Sequence, residues 1–256
     1  MVGLKMKPTY LGTAGWSLPI AFQSLFSSRA SHLSRYAMRF SAVEINSSFH
    51  RPHQTSTYAR WAASVPPSFR FSVKIPKTIT HVKGLVGITE ELETFLGSVA
   101  GLGERMGCVL VQLPPSLALD RRSANSFFGV IRRRYTGDIA AEARHATWFS
   151  AAGDALLARH RVARVAADPA RVPEAARPGG WPELVYYRLH GSPRTYYSSY
   201  EHAYLRTLAD RLMCARGETK RVWCIFDNTA SGAAMANALE LDAMMRCETR
   251  TRAQRV

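Results

Sequence analysis

The chain has 256 residues, 46% of them hydrophobic and 21% charged, enough to bury a large core and too apolar for disorder to dominate. A net charge of +15 favours anionic partners or substrates, although an arginine-rich composition spread over solvated helix faces would give the same figure. No apolar run reaches the ~18 residues of a membrane span, residues 1–8 lack the apolar core of a secretory leader, and Cys108, Cys214, Cys224 and Cys247 form no C-x-x-C pair, the pattern of reduced thiols in a cytoplasmic protein.

Tyr10 to Gly15 reads as a short strand running into Gly15-Trp16-Ser17, and an amphipathic stretch follows over 31–40. Ala42 to Asn46 is the second strand, with Val43 and Ile45 on one face and Glu44 and Asn46 on the other. A helix over 55–64, with Trp61 buried, ends at Pro66-Pro67. Arg70 to Pro76 alternates cleanly, setting Phe71, Val73 and Ile75 against Ser72 and Lys74. A third helix is expected over 89–105. Cys108 to Leu113 is apolar nearly throughout, as parallel strands covered on both faces are.

A helix over 123–135 leads to a fifth strand, Asp138 to Arg144, with small side chains. Thr147 is placed to cap a helix reaching His160, and Val162 to Asp168 reads as the sixth strand. Pro169, Pro173, Pro178, Gly179, Gly180 and Pro182 then break the chain, so the helix after strand six is missing or replaced by a long loop, a candidate lid. Leu184 to Gly191 is the seventh strand, with Tyr186, Arg188 and His190 sharing one face. A helix to Cys214, a last strand from Arg221 to Asn228 and a helix over 233–245 complete the chain.

Eight strands alternating with helices after seven of them predict an α/β fold with a parallel sheet, and in 256 residues a TIM-barrel-like (β/α)₈ barrel. The expected organisation is a single domain over 1–245 and a basic C-terminal tail over 246–256.

Such barrels carry their chemistry at the carboxyl ends of the strands. Those ends present Trp16, Glu44, Asn46, Lys74, Gln112, Glu142, Arg144, Asp168, Arg188, His190, Asp227 and Asn228. Strand parity turns Glu44, Asn46, Lys74, Glu142, Arg144, Arg188 and His190 toward the axis. A buried ion-pair network accounts for part of this group, because unpaired charges are costly to bury. Apolar layers would serve stability better, however, which favours a site.

Lys74, Arg144 and Arg188 suit a phosphate or carboxylate; Glu44, Glu142 and His190 suit acid–base chemistry. The remaining strand-end residues are expected to contact substrate. A divalent metal on Glu44, Glu142, Asp168 and His190 is admissible but not favoured, since cations adjoin it and no H-x-H pair exists.

Several stretches carry a family resemblance: Gly12-Thr13-Ala14-Gly15-Trp16-Ser17, Val43 to Phe49, Phe71 to Pro76, and Gln112-Leu113-Pro114-Pro115-Ser116. Others are Glu142-Ala143-Arg144-His145 with Trp148-Phe149, Tyr187-Arg188-Leu189-His190-Gly191, and Phe226-Asp227-Asn228 with Asn237-Ala238. In this order they resemble the YecE-like family, domain of unknown function 72, over nearly the whole chain. The resemblance implies a TIM-barrel-like fold and no established activity; analogy with barrel phosphodiesterases that repair DNA rests on fold and charge alone. The chain departs from the family pattern at Ala14, His50, Ala143 and Asp227, where a serine, a tyrosine, a bulky aromatic and an asparagine are usual.

The expectation is a barrel enzyme, a hydrolase of phosphodiester or glycosidic bonds, that takes an anionic, phosphate-bearing small molecule at the strand ends. The alternatives are a non-catalytic barrel that binds nucleic acid through its basic surface and a glycosidase-like hydrolase using two carboxylates. No membrane partner is expected, and the sequence leaves cofactor and oligomeric state open.

Overall fold

The alternating extended and amphipathic segments form strands and helices in the computed structural model, which describes residues 9–26, 30–218 and 220–253, without the side chains of 248–253. The leader reading at residues 1–8 and the last residues of the basic tail lie outside the described residues. The first half runs β1 (Thr9–Thr13), α1 (His32–Ala37), β2 (Ala42–Ile45), α2 (Thr55–Ala63), β3 (Arg70–Lys74), α3 (Thr89–Val99) and β4 (Met106–Gln112). Then come α4 (Arg121–Arg134), β5 (Asp138–Glu142), α5 (Ala151–Arg159), β6 (Val162–Arg164), β7 (Ala166–Asp168) and β8 (Gly179–Gly180). The chain closes with β9 (Leu184–Leu189), α6 (His202–Gly217), β10 (Arg221–Phe226) and α7 (Ala233–Ala253).

The strands lie in two sheets, ordered β2-β3-β4-β5-β6-β8 and β1-β10-β9-β7. Among the described residues, the β6–β8 pairing alone is antiparallel. The stretch expected as one sixth strand divides at Val165: β6 pairs with β5, and β7 pairs with β9. Between β1 and β2 there is a bridge from Ala14 to Glu44, where the Gly15 N–H donates to the Glu44 carbonyl at 2.8 Å. Gly12 makes that approach feasible. A Cβ there would run into the Ala42 carbonyl and the Tyr36 hydroxyl.

Side-chain parity builds two apolar layers. Val43, Ile45, Phe71, Val73, Val109, Val111 and Phe226 pack outward against the helices. Ala42, Cys108, Leu110, Ala140, Ala163, Leu184, Tyr186, Trp223 and Ile225 pack together on the inner face. The small side chains of β5 and β6 leave room there for Trp223 stacked on Tyr186, with ring centroids 5.8 Å apart. Fully burying a Val, Leu, Ile or Phe side chain in these layers contributes roughly 1.5–3 kcal/mol.

Helix ends follow local chemistry. Asp120 accepts from Ser123 N at 2.7 Å to start α4, a cap that contributes about 1 kcal/mol. Ser150, not Thr147, caps α5 by accepting from Gly153 N at 3.1 Å. Thr147 sits in a preceding helical turn and accepts from the Leu119 N–H at 2.7 Å instead. The third helix ends at Val99 and gives way to a turn over Ala100–Arg105 with Gly103 at φ 51°. Trp61 is half-buried, edge-on to Trp16. The final helix continues past Met245 to Ala253, through most of the segment expected as tail.

No α-helix follows β7. Its place is taken by the loop 169–182, which holds a helical turn over Pro173–Ala176. Arg164 anchors this loop from beneath: Nη1 donates to the Glu174 and Arg177 carbonyls at 2.9 and 3.2 Å, and Nε pairs with Asp154 at 2.8 Å. Among the described residues, no helix is long and apolar enough to cross a membrane.

Candidate functional site

Above the inner apolar layer the inward-facing residues turn polar. The Tyr186 hydroxyl lies 2.9 Å from both Glu44 Oε2 and Ser72 Oγ, so it can donate to the carboxylate while accepting from the serine. Arg188, two residues on and 1% exposed, forms the next tier. Its Nε lies 3.1 Å from each Glu44 oxygen and its Nη2 2.7 Å from Glu44 Oε1. The same Nη2 is 2.8 Å from Asp227 Oδ2, and Nη1 is 2.8 Å from Glu142 Oε2. Each nitrogen of the guanidinium is thus engaged by the protein. Asn46 joins weakly, with Oδ1 3.5 Å from Arg188 Nη2 and Nδ2 3.4 Å from Asp227 Oδ1.

His190 forms the third tier. Its Nε2 lies 3.0 Å from Glu142 Oε1 and its Nδ1 3.0 Å from Asp227 Oδ2, the latter contact poorly aligned for a hydrogen bond. Arg144 donates from both Nε and Nη2 to Glu142 Oε1, at 3.1 and 3.0 Å. The Tyr196 and His190 rings stand nearly perpendicular, with centroids 5.8 Å apart.

The electrostatics follow from this geometry. Burial opposes the charge on Arg188, but Asp227, Glu44 and Glu142 outweigh it and hold the guanidinium well above its ordinary pKa. Burial likewise pushes Glu142 up, yet Arg188 and His190 bring it well below the usual carboxylate range. Asp227 is also lowered, burial being overcome by Arg188 and His190. For His190, burial and Arg188 disfavour the proton, and the two flanking carboxylates prevail, so its pKa is raised. A carboxylate 3.0 Å from each ring nitrogen suits an imidazolium that donates to Glu142 and faces the charge of Asp227.

Lys74 differs from its neighbours. It is 8% exposed, its Nζ lies 4.0 Å from the centre of the Phe49 ring, and among the described residues no carboxylate is within ion-pair distance. Burial, and then repulsion from Arg188, lower its pKa to about 8.

A cleft of about 150 Å³ opens beside the network, lined by Glu142, Arg144, Arg171, His190, Thr195 and Pro169 among others. The loop expected as a lid therefore supplies one wall, including a second arginine.

The structure brings together Glu44, Asn46, Glu142, Arg144, Arg188, His190 and Asp227, with Lys74 at their edge. Gln112 is buried and pairs in register with Glu142. Three expected residues stay apart. Asp168 is in register with outward-facing Leu189, and its Oδ1 accepts from the Tyr200 hydroxyl at 2.9 Å. Asn228 donates to the Ser198 carbonyl and to Asn237, each at 2.9 Å, clamping loops. Trp16 packs on Trp61 with centroids 5.0 Å apart. Tyr186 and Ser72 were legible by parity but not singled out as site residues; Arg171 comes from a loop, which carries no period. Among the described residues, no three His, Cys, Asp or Glu side chains converge to hold a metal ion.

The sequence pattern of the family described as "Protein of unknown function DUF72" matches residues 10–255. The UPF0759 protein YecE of Escherichia coli K12 is 30% identical over 105 residues, which are 41% of this chain and 37% of that protein. The UPF0759 protein YunF of Bacillus subtilis 168 is 26% identical over 149 residues, 55% of this chain and 52% of that protein. The chain thus spans between about a third and about half of the length of these curated relatives. A crystal structure of a DUF72 family protein from Enterococcus faecalis V583 matches with TM-score 0.79 and 22% identity, over 93% of this chain and 96% of the other. One from Thermotoga maritima MSB8 matches with TM-score 0.75 and 24% identity, over 93% and 99%. At these identities the likeness is one of fold.

Proposed function

The chain belongs to the DUF72 family, whose function is unknown, and from the geometry of its site we propose that it is a (β/α)₈-barrel enzyme acting on a small anionic, phosphate-bearing substrate. The strand pairings, read through Val165 and the Ala14–Glu44 bridge, return from β1 to β2, and this cyclic order supports a barrel. One observation carries the functional reading: Arg144, Arg171 and His190 line the same small cleft beside the carboxyl ends of parallel strands. Arg144 and Arg171 take up the substrate's negative charge. His190, protonated between Glu142 and Asp227, gives its proton to the leaving oxygen.

Glu142 and Asp227 remain ionised; their part is to keep that proton on the imidazole and to fix the ring. This argues against the two-carboxylate glycosidase reading, in which one carboxyl must be held protonated. Arg188, whose three nitrogens all meet protein carboxylates and which does not line the cleft, positions Glu44, Glu142 and Asp227.

Titration calorimetry with inorganic phosphate tests the reading. The native protein should bind, and Arg144→Ala should weaken binding at least about tenfold, the loss expected for a charge-assisted hydrogen bond. Binding unaffected by the substitution would overturn it.

A further inference from the structure

Among the described strand-end residues, Lys74 is the cation that the ion-pair network leaves out. The three carboxylates within electrostatic reach, Glu44, Glu142 and Asp227, are committed to Arg188, and two of them also to His190. A nearly buried ammonium without an ion-pair partner is expensive, and an apolar residue would serve stability better at this position.

The surroundings are built around the side chain nonetheless. The turn Ser47–Phe49 pins its backbone, Ser48 Oγ donating to the Lys74 carbonyl at 2.7 Å, and lays the Phe49 ring against Nζ at 4.0 Å. His81 packs on Phe49 as well, with ring centroids 5.0 Å apart. Burial, then Lys74 and Arg144, push the His81 imidazole toward its neutral form, fit to accept a proton. Lys74 keeps 8% of its surface exposed.

We propose that Lys74 is a nucleophilic amine that forms a Schiff base, and that the substrate class is an anionic aldehyde or ketone. This deepens the proposed function and rests on it for the anionic part of the substrate. In the step, the ammonium gives up a proton, and the Nζ lone pair attacks the carbonyl carbon. The carbonyl oxygen takes up that proton as the N–C bond forms, leaving a carbinolamine. Loss of the hydroxyl with a second nitrogen proton, as water, leaves a protonated imine. The sum is Lys–NH₃⁺ plus O=C giving Lys–NH⁺=C plus H₂O, with no oxidant or reductant. A lysine whose pKa falls to about 8 keeps roughly a tenth of its amine neutral at pH 7, far more than an ordinary lysine does.

Reductive trapping on the full native chain tests this. The protein is incubated separately with pyruvate, glyoxylate and glyceraldehyde 3-phosphate, each with sodium cyanoborohydride, and modified peptides are mapped by mass. At least one probe should label Lys74 about tenfold or more faster than the exposed Lys77 and Lys83, the preference expected of a lowered amine pKa. Inorganic phosphate should slow that labelling. Lys74 labelled no faster than Lys77 by every probe overturns the proposal, and Arg144-dependent phosphate binding would then leave the anion site standing. Fast Lys74 labelling that neither phosphate nor Arg144→Ala affects would instead uphold the amine and sink the anion site. Because the readout is on the native chain, folding of a lysine variant does not enter.

Discussion

Arg188 and Lys74 meet the same carboxylates with opposite outcomes. Arginine offers a planar fork with donors in several directions, and Glu44, Glu142 and Asp227 close on it from as many sides. Lysine offers one compact charge, and here it is left to burial and an aromatic face. The titrating members of the network each make stability depend on pH. Glu142 and Asp227 sit below their ordinary values of 4.5 and 3.8, so what they contribute is full above those values and is lost as pH falls through the depressed ones. His190 sits above its ordinary 6.5, so its contribution is full below 6.5 and is lost as pH rises through the raised value. The network's share of the urea midpoint should therefore be largest between about pH 4.5 and 6.5 and fall on both sides, while His53, His81 and His160, whose pKa values burial lowers, add stability as pH rises toward 6.5. The comparison belongs below pH 8, because Lys74 changes sign there: its pKa falls from 10.5 to about 8, so its penalty is relieved as pH rises between those values. Midpoints that keep rising from about pH 7 to pH 8 would show that His190 is not held protonated in the fold.

Elements were legible in the sequence wherever one face is apolar and the other is not. β2 and β3 alternate so plainly that the inward placement of Glu44 and Lys74 follows from Val43, Ile45, Phe71 and Val73 packing on the helices. Carried to the last residue of each strand, the same parity separates Asp227, inner like Ile225, from Asn228, outer like Phe226. It also sets Asp168 outward with Ala166. What parity cannot reveal is a change of partner: nothing in Val162 to Asp168 marks Val165 as the residue where pairing passes from β5 to β9. Nor does it register loops, the source of Arg171. The loop 169–182 has its own internal support in Arg164, 4% exposed beneath it. Arg164→Ala removes the partner of two loop carbonyls and of Asp154, and should cost about 1–3 kcal/mol in urea unfolding. Limited proteolysis within 169–182 should accelerate. A loop cut no faster than in the native protein would mean that Arg164 is not what holds the cleft wall.

At the scale of the whole molecule, the charge of +15 and the site are separate matters. Within the site Glu44, Glu142 and Asp227 stand against Arg144, Arg188, Lys74 and protonated His190, so little of the excess resides there. Part of the remainder is spent on folding. Arg132 donates to the carbonyls of Tyr135, Gly137, His160 and Arg161, Arg134 pairs with Glu93, and Arg221 pairs with Asp138. A diffuse positive surface of this kind raises the local concentration of anions without reading their structure, and salt screens it over a Debye length of about 8–10 Å. The cleft instead recognises one anionic group through fixed guanidinium donors. The two behaviours should part in a single experiment. Affinity for heparin or duplex DNA should fall linearly in log–log form with salt, with the same slope in the native protein and in Arg144→Ala. The same substitution should weaken phosphate binding in the cleft at every salt concentration. A slope reduced by about one in the variant would place Arg144 on the polyanion surface. The basic character of the chain and its candidate site would then be one feature, and the nucleic-acid reading would displace the small-molecule one.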